Sequence, residues 1–193
     1  MATTTIITAQ RYSQGFTYEA YLNQLGDTRQ RFVEHEAVFR LAPNDAQFFK
    51  DMVMRLGHIK VVAIVEDWCP DVHRGLPIMA TIVQASGMDM RVFPRDQNLD
   101  IMNLYLNQGK FMSIPVFAFF GQNLNPLFQW IERPKAATRF MEEIAAELAK
   151  VKLGEEELRQ ERRKRSQVMA DKWRQETVKE LRELFTKIQP AIK

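Results

Sequence analysis

The 193-residue chain has a single cysteine, Cys69, in the stretch Glu66-Asp67-Trp68-Cys69-Pro70-Asp71-Val72-His73. Only the thiolate is a nucleophile, so the chemistry open to this residue depends on what surrounds its sulfur. Pro70 suits the first position of a helix, which puts Cys69 at a helix N-terminus, where unpaired N–H groups and the dipole favour the anion. Glu66, Asp67 and Asp71 oppose that with negative charge. His73, one turn further on, either supports the thiolate as an imidazolium or simply faces solvent. One thiol forms no internal disulfide, so a redox cycle needs a second thiol from outside the chain. His35, His58 and His73 are scattered without zinc-type spacing, so no metal is expected; no glycine-rich phosphate loop occurs, and no cofactor is expected.

The elements that must position Cys69 follow from periodicity. His58 to Trp68 is a β-branched apolar run that reads as a strand buried on both faces. From Pro70, Val72, Leu76, Met79 and Val83 fall on one helical face that Gly87 ends. Met88 to Pro94 alternates as a second strand, and Asp96 or Asn98 can cap a helix carrying Leu99, Met102 and Leu106 toward Gly109. Ile114–Gly121 and Pro126–Glu132 predict an antiparallel hairpin, and Pro134 starts a helix through Leu148. Ahead of this core, Thr17 caps a segment ending at Gly26, Asp27 or Thr28 begins another through Arg40, and Pro43 opens a third that stops at Gly57. The order β-α-β-α-β-β-α describes an α/β core, residues 58–150, between a helical N-terminal segment, 1–57, and an appendage, 151–193.

That appendage has no glycine or proline between Gly154 and Pro190 and reads as one long helix. Its second half carries an apolar stripe of Met169, Trp173, Leu181, Leu184, Phe185 and Ile188. The stripe must be buried on the domain itself, on a second copy through residues 169–188, or on another protein. Arg162–Ser166 is strongly basic but has no interleaved aromatics, so nucleic acid is not an expected partner. Residues 151–193 hold 12 Lys/Arg against 8 Asp/Glu, so the excess charge of this mildly basic chain, +3 overall, belongs to its tail. Hydrophobic content of 46% argues against disorder throughout. The N-terminus lacks the basic and apolar regions of a signal peptide, and no stretch is long enough to span a bilayer. With one cysteine and no secretory signal, a cytoplasmic location is expected, and no membrane partner.

Four features in order carry a resemblance: an apolar strand ending in Asp67-Trp68-Cys69, then Pro70, then Pro77 in the following helix, then Ser113-Ile114-Pro115 opening the third strand. Together they resemble a thioredoxin-like fold, closest to bacterial thioredoxin-like proteins with a helical N-terminal segment and a WCxD turn. The resemblance implies that Pro115 is cis and faces the thiol, that Ile114 offers its backbone to an extended substrate, and that Trp68 and Pro70 flank the sulfur. The pattern is also departed from. Val72 stands where the resolving cysteine of a dithiol site belongs, and Ala63 where the buried acidic residue of ordinary thioredoxins belongs.

The expected function is therefore a monothiol thiol-disulfide oxidoreductase or redox-modified protein acting through Cys69 on a protein or low-molecular-weight thiol or disulfide. Asp71 and His73 would be modulators of the thiolate. The rival reading is a non-catalytic thioredoxin-fold binding or assembly module that uses its C-terminal amphipathic helix.

Overall fold

The computed structural model describes residues 6–188; residues 1–5 and Pro190, the expected end of the last helix, lie outside them. Thr8 and Thr17 open the first two helices, α1 (Ala9–Ser13) and α2 (Tyr18–Gln24), each hydroxyl accepting an N–H three residues on at 3.1 Å. The first of these helices has no counterpart in the periodicity. In α3 (Arg29–Val38), Thr28 stands at the start but does not cap it, because its hydroxyl donates to Asp67 Oδ2 at 2.8 Å. The fourth helix, α4 (Pro43–Leu56), begins on its proline and ends at Gly57, whose φ of 81° a side chain would resist.

The long apolar run forms β1 (Lys60–Val65), and Val61 to Val65 are all fully buried. It is followed by α5 (Pro70–Ser86), which Gly87 ends in the left-handed conformation, and by β2 (Asp89–Pro94). The strands order as β2-β1-β3-β4, with β1 parallel to β2. Both β1 against β3 (Val116–Phe120) and β3 against β4 (Pro126–Ile131) are antiparallel. Ala63 pairs with Val92 on one side and Phe117 on the other, at the centre of the sheet. Covering this position on both faces requires a continuous apolar strand.

The β2 edge is closed by the N-terminal segment: Phe16 exchanges backbone hydrogen bonds with Val92 at 2.8 and 2.9 Å. Gly15 permits that approach, since a Cβ there would lie within 2.7 Å of the Phe93 ring and Arg91.

Two elements differ from expectation. The helix after β2, α6 (Leu99–Met102), stops five residues short of Leu106's neighbour Asn107, and Leu99 and Leu104 are left exposed. Asn98 is engaged elsewhere, donating to the Pro94 carbonyl at 2.6 Å and accepting from Arg11 at 2.7 Å, so it supplies no side-chain cap. Ile101 and Met102 alone are drawn fully into the core. After α7 (Lys135–Leu148), the segment read as one long helix is two, α8 (Glu155–Val168) and α9 (Ala170–Thr186), divided at Met169 with φ −90° and ψ −1°. The halves pack on different things. Arg165 of α8 bonds Glu147 of α7 at 2.7 Å, whereas the stripe of α9 lies on the domain core.

That stripe is covered by the chain itself. Trp173, Leu181 and Phe185 are buried, and the Phe185 ring meets Phe49, Phe119 and Phe128 edge-on at 5.7, 5.2 and 4.8 Å. Glu180 accepts from Trp130 Nε1 at 2.9 Å and from the Lys135 backbone at 2.7 Å, joining α9 to the end of the sheet. No helix of the described residues is long and apolar enough to cross a membrane.

Candidate functional site

Cys69 is the N-cap of α5, extended at φ −85° and ψ 121°, with Pro70 in the first turn. Its carbonyl accepts from His73 N at 3.0 Å, which starts the helix. Its thiol, 8% exposed, lies 3.7 Å from the Ile114 carbonyl, toward which the S–H donates. The Ile114–Pro115 peptide bond is cis. Residues 45 apart in sequence are thus brought into one cluster by the adjacency of β1 and β3.

Two further contacts fix this arrangement. At Gly75 the helix comes so close that a Cβ would stand 3.1 Å from Pro115 Cγ, so a glycine inside α5 has a packing reason. The Pro115 carbonyl accepts from Glu132 N at 2.7 Å, and Glu132 adopts a φ of 70° there. Of these two contacts only the first has a sequence signal, an isolated glycine within a helical pattern.

The balance around the sulfur is decided by burial. Burial pushes the Cys69 thiol above its ordinary range, and the nearby Asp71 carboxylate adds to that; the N–H groups of Val72 and Asp71 and the charge of Arg133 pull the other way without prevailing. The helix N-terminus does act on the sulfur as expected, but desolvation outweighs it. The thiol form therefore predominates near neutral pH.

Asp71 is largely buried and does not stand alone: Arg133 pairs with it at 2.8 Å and Arg74 at 3.4 Å. Arg133 arrives from the turn after β4 and was not a sequence candidate. Burial raises the Asp71 carboxyl, while both arginines favour its ionised form.

His73 is not placed to help the thiolate, and it does not face solvent either. It is 4% exposed, its ring packs edge-on against Phe32 at 5.0 Å, and its Nε2 hydrogen-bonds the Asp67 carbonyl. Burial holds its pKa below the usual range, and donation to a carbonyl requires the proton on Nε2, so the ring is neutral. Its role is to pin the Asp67 turn to α5.

Trp68 is 53% exposed and does not fill the core. The Arg95 guanidinium lies over its ring at 5.1 Å and donates to the Met112 carbonyl at 3.4 Å. With Phe111 and Met112 also exposed, this makes an apolar rim on the approach to Pro115. Val72 and Ala63, at the positions of the missing thiol and missing acid, are both fully buried. Nothing ionisable replaces either.

Comparison with known proteins agrees with this geometry. No curated protein matches the chain. A crystal structure of a protein of unknown function from Pseudomonas aeruginosa is similar at TM-score 0.66 and 13% identity, covering 94% of this chain and 98% of that one. An HIV epitope-scaffold is similar at TM-score 0.57 and 15% identity, covering 68% of this chain and 81% of that one. At such identities the likeness is one of fold. The family model described as Thioredoxin matches residues 15–152, which takes in α2 to α7 with the Cys69 turn and Pro115; the chain belongs to that thioredoxin family.

Proposed function

We propose that this thioredoxin-fold protein carries out monothiol disulfide exchange through Cys69, slowly at neutral pH and faster in alkali. The observation that carries the reading is the thiol at the N-terminus of α5, 3.7 Å from the carbonyl that precedes the cis proline. Deprotonated Cys69 attacks one sulfur of a substrate disulfide, forming a mixed disulfide, and the other sulfur leaves as a thiolate that takes up a proton. A thiol from solution, having lost its proton, then attacks the Cys69 sulfur, expels the substrate's second sulfur as a thiolate that takes up a proton, and becomes the new disulfide partner. A further thiol attacks that partner's sulfur, so that the two external thiols leave as a disulfide and Cys69 is released as its thiolate. The substrate disulfide is reduced by two external thiols. Trp68 and the exposed edge of residues 111–112 would receive the substrate chain.

Mixed-disulfide formation with oxidised glutathione, followed by mass spectrometry across pH, tests this. Expected are a single adduct on Cys69, absent in Cys69→Ser, and a rate that keeps rising past the ordinary thiol pKa of about 8.5. A folded protein that forms no adduct at any pH, while the denatured chain does, overturns it.

The burial of Cys69 favours a second reading, a binding module without redox chemistry. Its docking surface would not be the apolar stripe of α9, which the chain's own domain covers.

A further inference from the structure

Helix α8 has one face on the protein and one in solvent. Leu158, Glu161, Arg165 and Ser166 are partly buried, with Arg165 held by Glu161 at 2.8 Å and Ser166 against Met141. The opposite side, with Glu156, Gln160, Arg163 and Gln167, is exposed. Apart from Arg159, its exposed charges are segregated by sign: Glu155, Glu156 and Glu157 open the helix, and Arg162, Arg163 and Lys164 lie near its end, all six exposed.

The segregation is symmetric. About the point between Arg159 and Gln160, Glu155 is placed as Lys164 is, Glu156 as Arg163, and Glu157 as Arg162. An acidic start and basic finish suit the helix's own dipole, and their exposed, mirrored placement also leaves them open to a partner.

A two-fold axis through that point lays α8 antiparallel on the α8 of a second copy. Glu156, on the exposed face, then stands opposite Arg163 of the other copy, with Glu155, Glu157, Arg162 and Lys164 at the rims, and every pair occurs twice. The existing ion pair on this side, Glu156–Arg159 at 3.8 Å between well-exposed side chains, is weak enough to be exchanged.

We propose that the solvent face of α8 is an isologous, salt-sensitive homodimerisation surface whose partner is a second copy of this chain. A surface of one short helix gives a weak dimer, and ion pairs at its rim are screened by salt.

Sedimentation velocity on the full chain tests this, using wild type, Glu155→Lys/Glu156→Lys, and Arg163→Glu/Lys164→Glu. Glu157 is left in place because it accepts the Gly154 N–H at 2.9 Å and caps the helix. Wild type is expected to dimerise in low salt, with a dissociation constant raised about tenfold or more by half-molar salt. Each variant alone is expected to be monomeric, because it brings like charges together, and an equimolar mixture to dimerise again, because the two altered helices are complementary. Circular dichroism checks that helix content is kept; where it falls, the neutral Glu156→Gln/Arg163→Gln variant is expected to weaken the dimer without it. A monomeric wild type in low salt, variants that dimerise as wild type does, or a mixture that stays monomeric each overturns the proposal. So does a wild-type monomer whose basic end instead binds a labelled RNA oligomer.

Discussion

After burial, Asp71 is the group that most raises the Cys69 thiol, and it also holds two arginines that would lower it. Replacing it with asparagine removes the carboxylate, which takes away the partner of Arg74 and one of the two partners of Arg133, the other being Glu132. The Asp71 N–H to the sulfur is a backbone group and is retained. Asp71→Asn is therefore expected to lower the pH at which Cys69 is half-alkylated and to raise its alkylation rate at pH 7 several-fold. It should also cost about 1–3 kcal/mol of stability from the lost charge-assisted bonds; iodoacetamide kinetics across pH and urea unfolding read the two effects. An unchanged or higher midpoint would mean that the arginines do not act on the thiol. At this scale the cluster of Trp68, Cys69, Pro70 and Pro115 was legible through the resemblance that its motifs carry, not through local periodicity. The sequence did not make Arg133 or Arg95 legible, since they reach the site from distant turns and carry no local pattern. His73 was misread for a related reason: a polar residue on a helix between two layers has no solvent face, and the second layer, Phe32 on α3, lies outside the local window.

Helices α3, α5 and α9 meet at a second histidine. His35 on α3 accepts a hydrogen bond at Nδ1 from Arg174 of α9 at 3.0 Å, and Arg174 is itself buried. Burial first, then the charges of Arg174 and Arg74, lower the His35 pKa to about 4. Unfolded His35 takes its proton near pH 6.5, whereas the folded form resists until about 4, so this contribution to stability is complete above 6.5 and disappears as pH falls through 4. One pKa unit is about 1.4 kcal/mol, and because the ring is partly exposed and screened by solvent the loss amounts to about 1–2 kcal/mol. His35→Gln is expected to flatten the decline in stability between pH 7 and 4, as read by urea midpoints at several pH values; a decline as steep as in wild type would place the acid sensitivity elsewhere. Element boundaries near this contact were well marked in the sequence by Pro43, Gly57, Pro70 and Gly87. The break at Met169 was not, because nothing in the local sequence opposes helix there. The division follows from α8 packing on α7 while α9 packs on the core.

The molecule as a whole is a four-stranded sheet whose outer layers come from both ends of the chain. Gly15 and Phe16 close the β2 edge from the N-terminal side, and α9 lies over Phe49, Phe119 and Phe128 from the C-terminal side. Periodicity and charge change at residues 57 and 150, which suggests a core with two additions. Packing joins them, and the family match over residues 15–152 crosses the first border while stopping at the second. Phe185 is where this can be measured. It is fully buried, it touches three aromatic rings from α4, β3 and β4, and Arg55 of α4 reaches the backbone carbonyls of Phe185 and Ile188 at 3.5 and 3.4 Å. Phe185→Ala removes a ring from the centre of that cluster and is expected to cost about 3–5 kcal/mol, the range for emptying a buried aromatic site. Because α9 covers the sheet, the loss should appear in a single cooperative transition monitored by both tryptophan fluorescence and far-ultraviolet dichroism. If α9 were an appendage, the variant would instead show an early loss of helix signal with the sheet melting at its wild-type midpoint. Coincident, shifted transitions are the result that makes the C-terminal helix part of the thioredoxin domain.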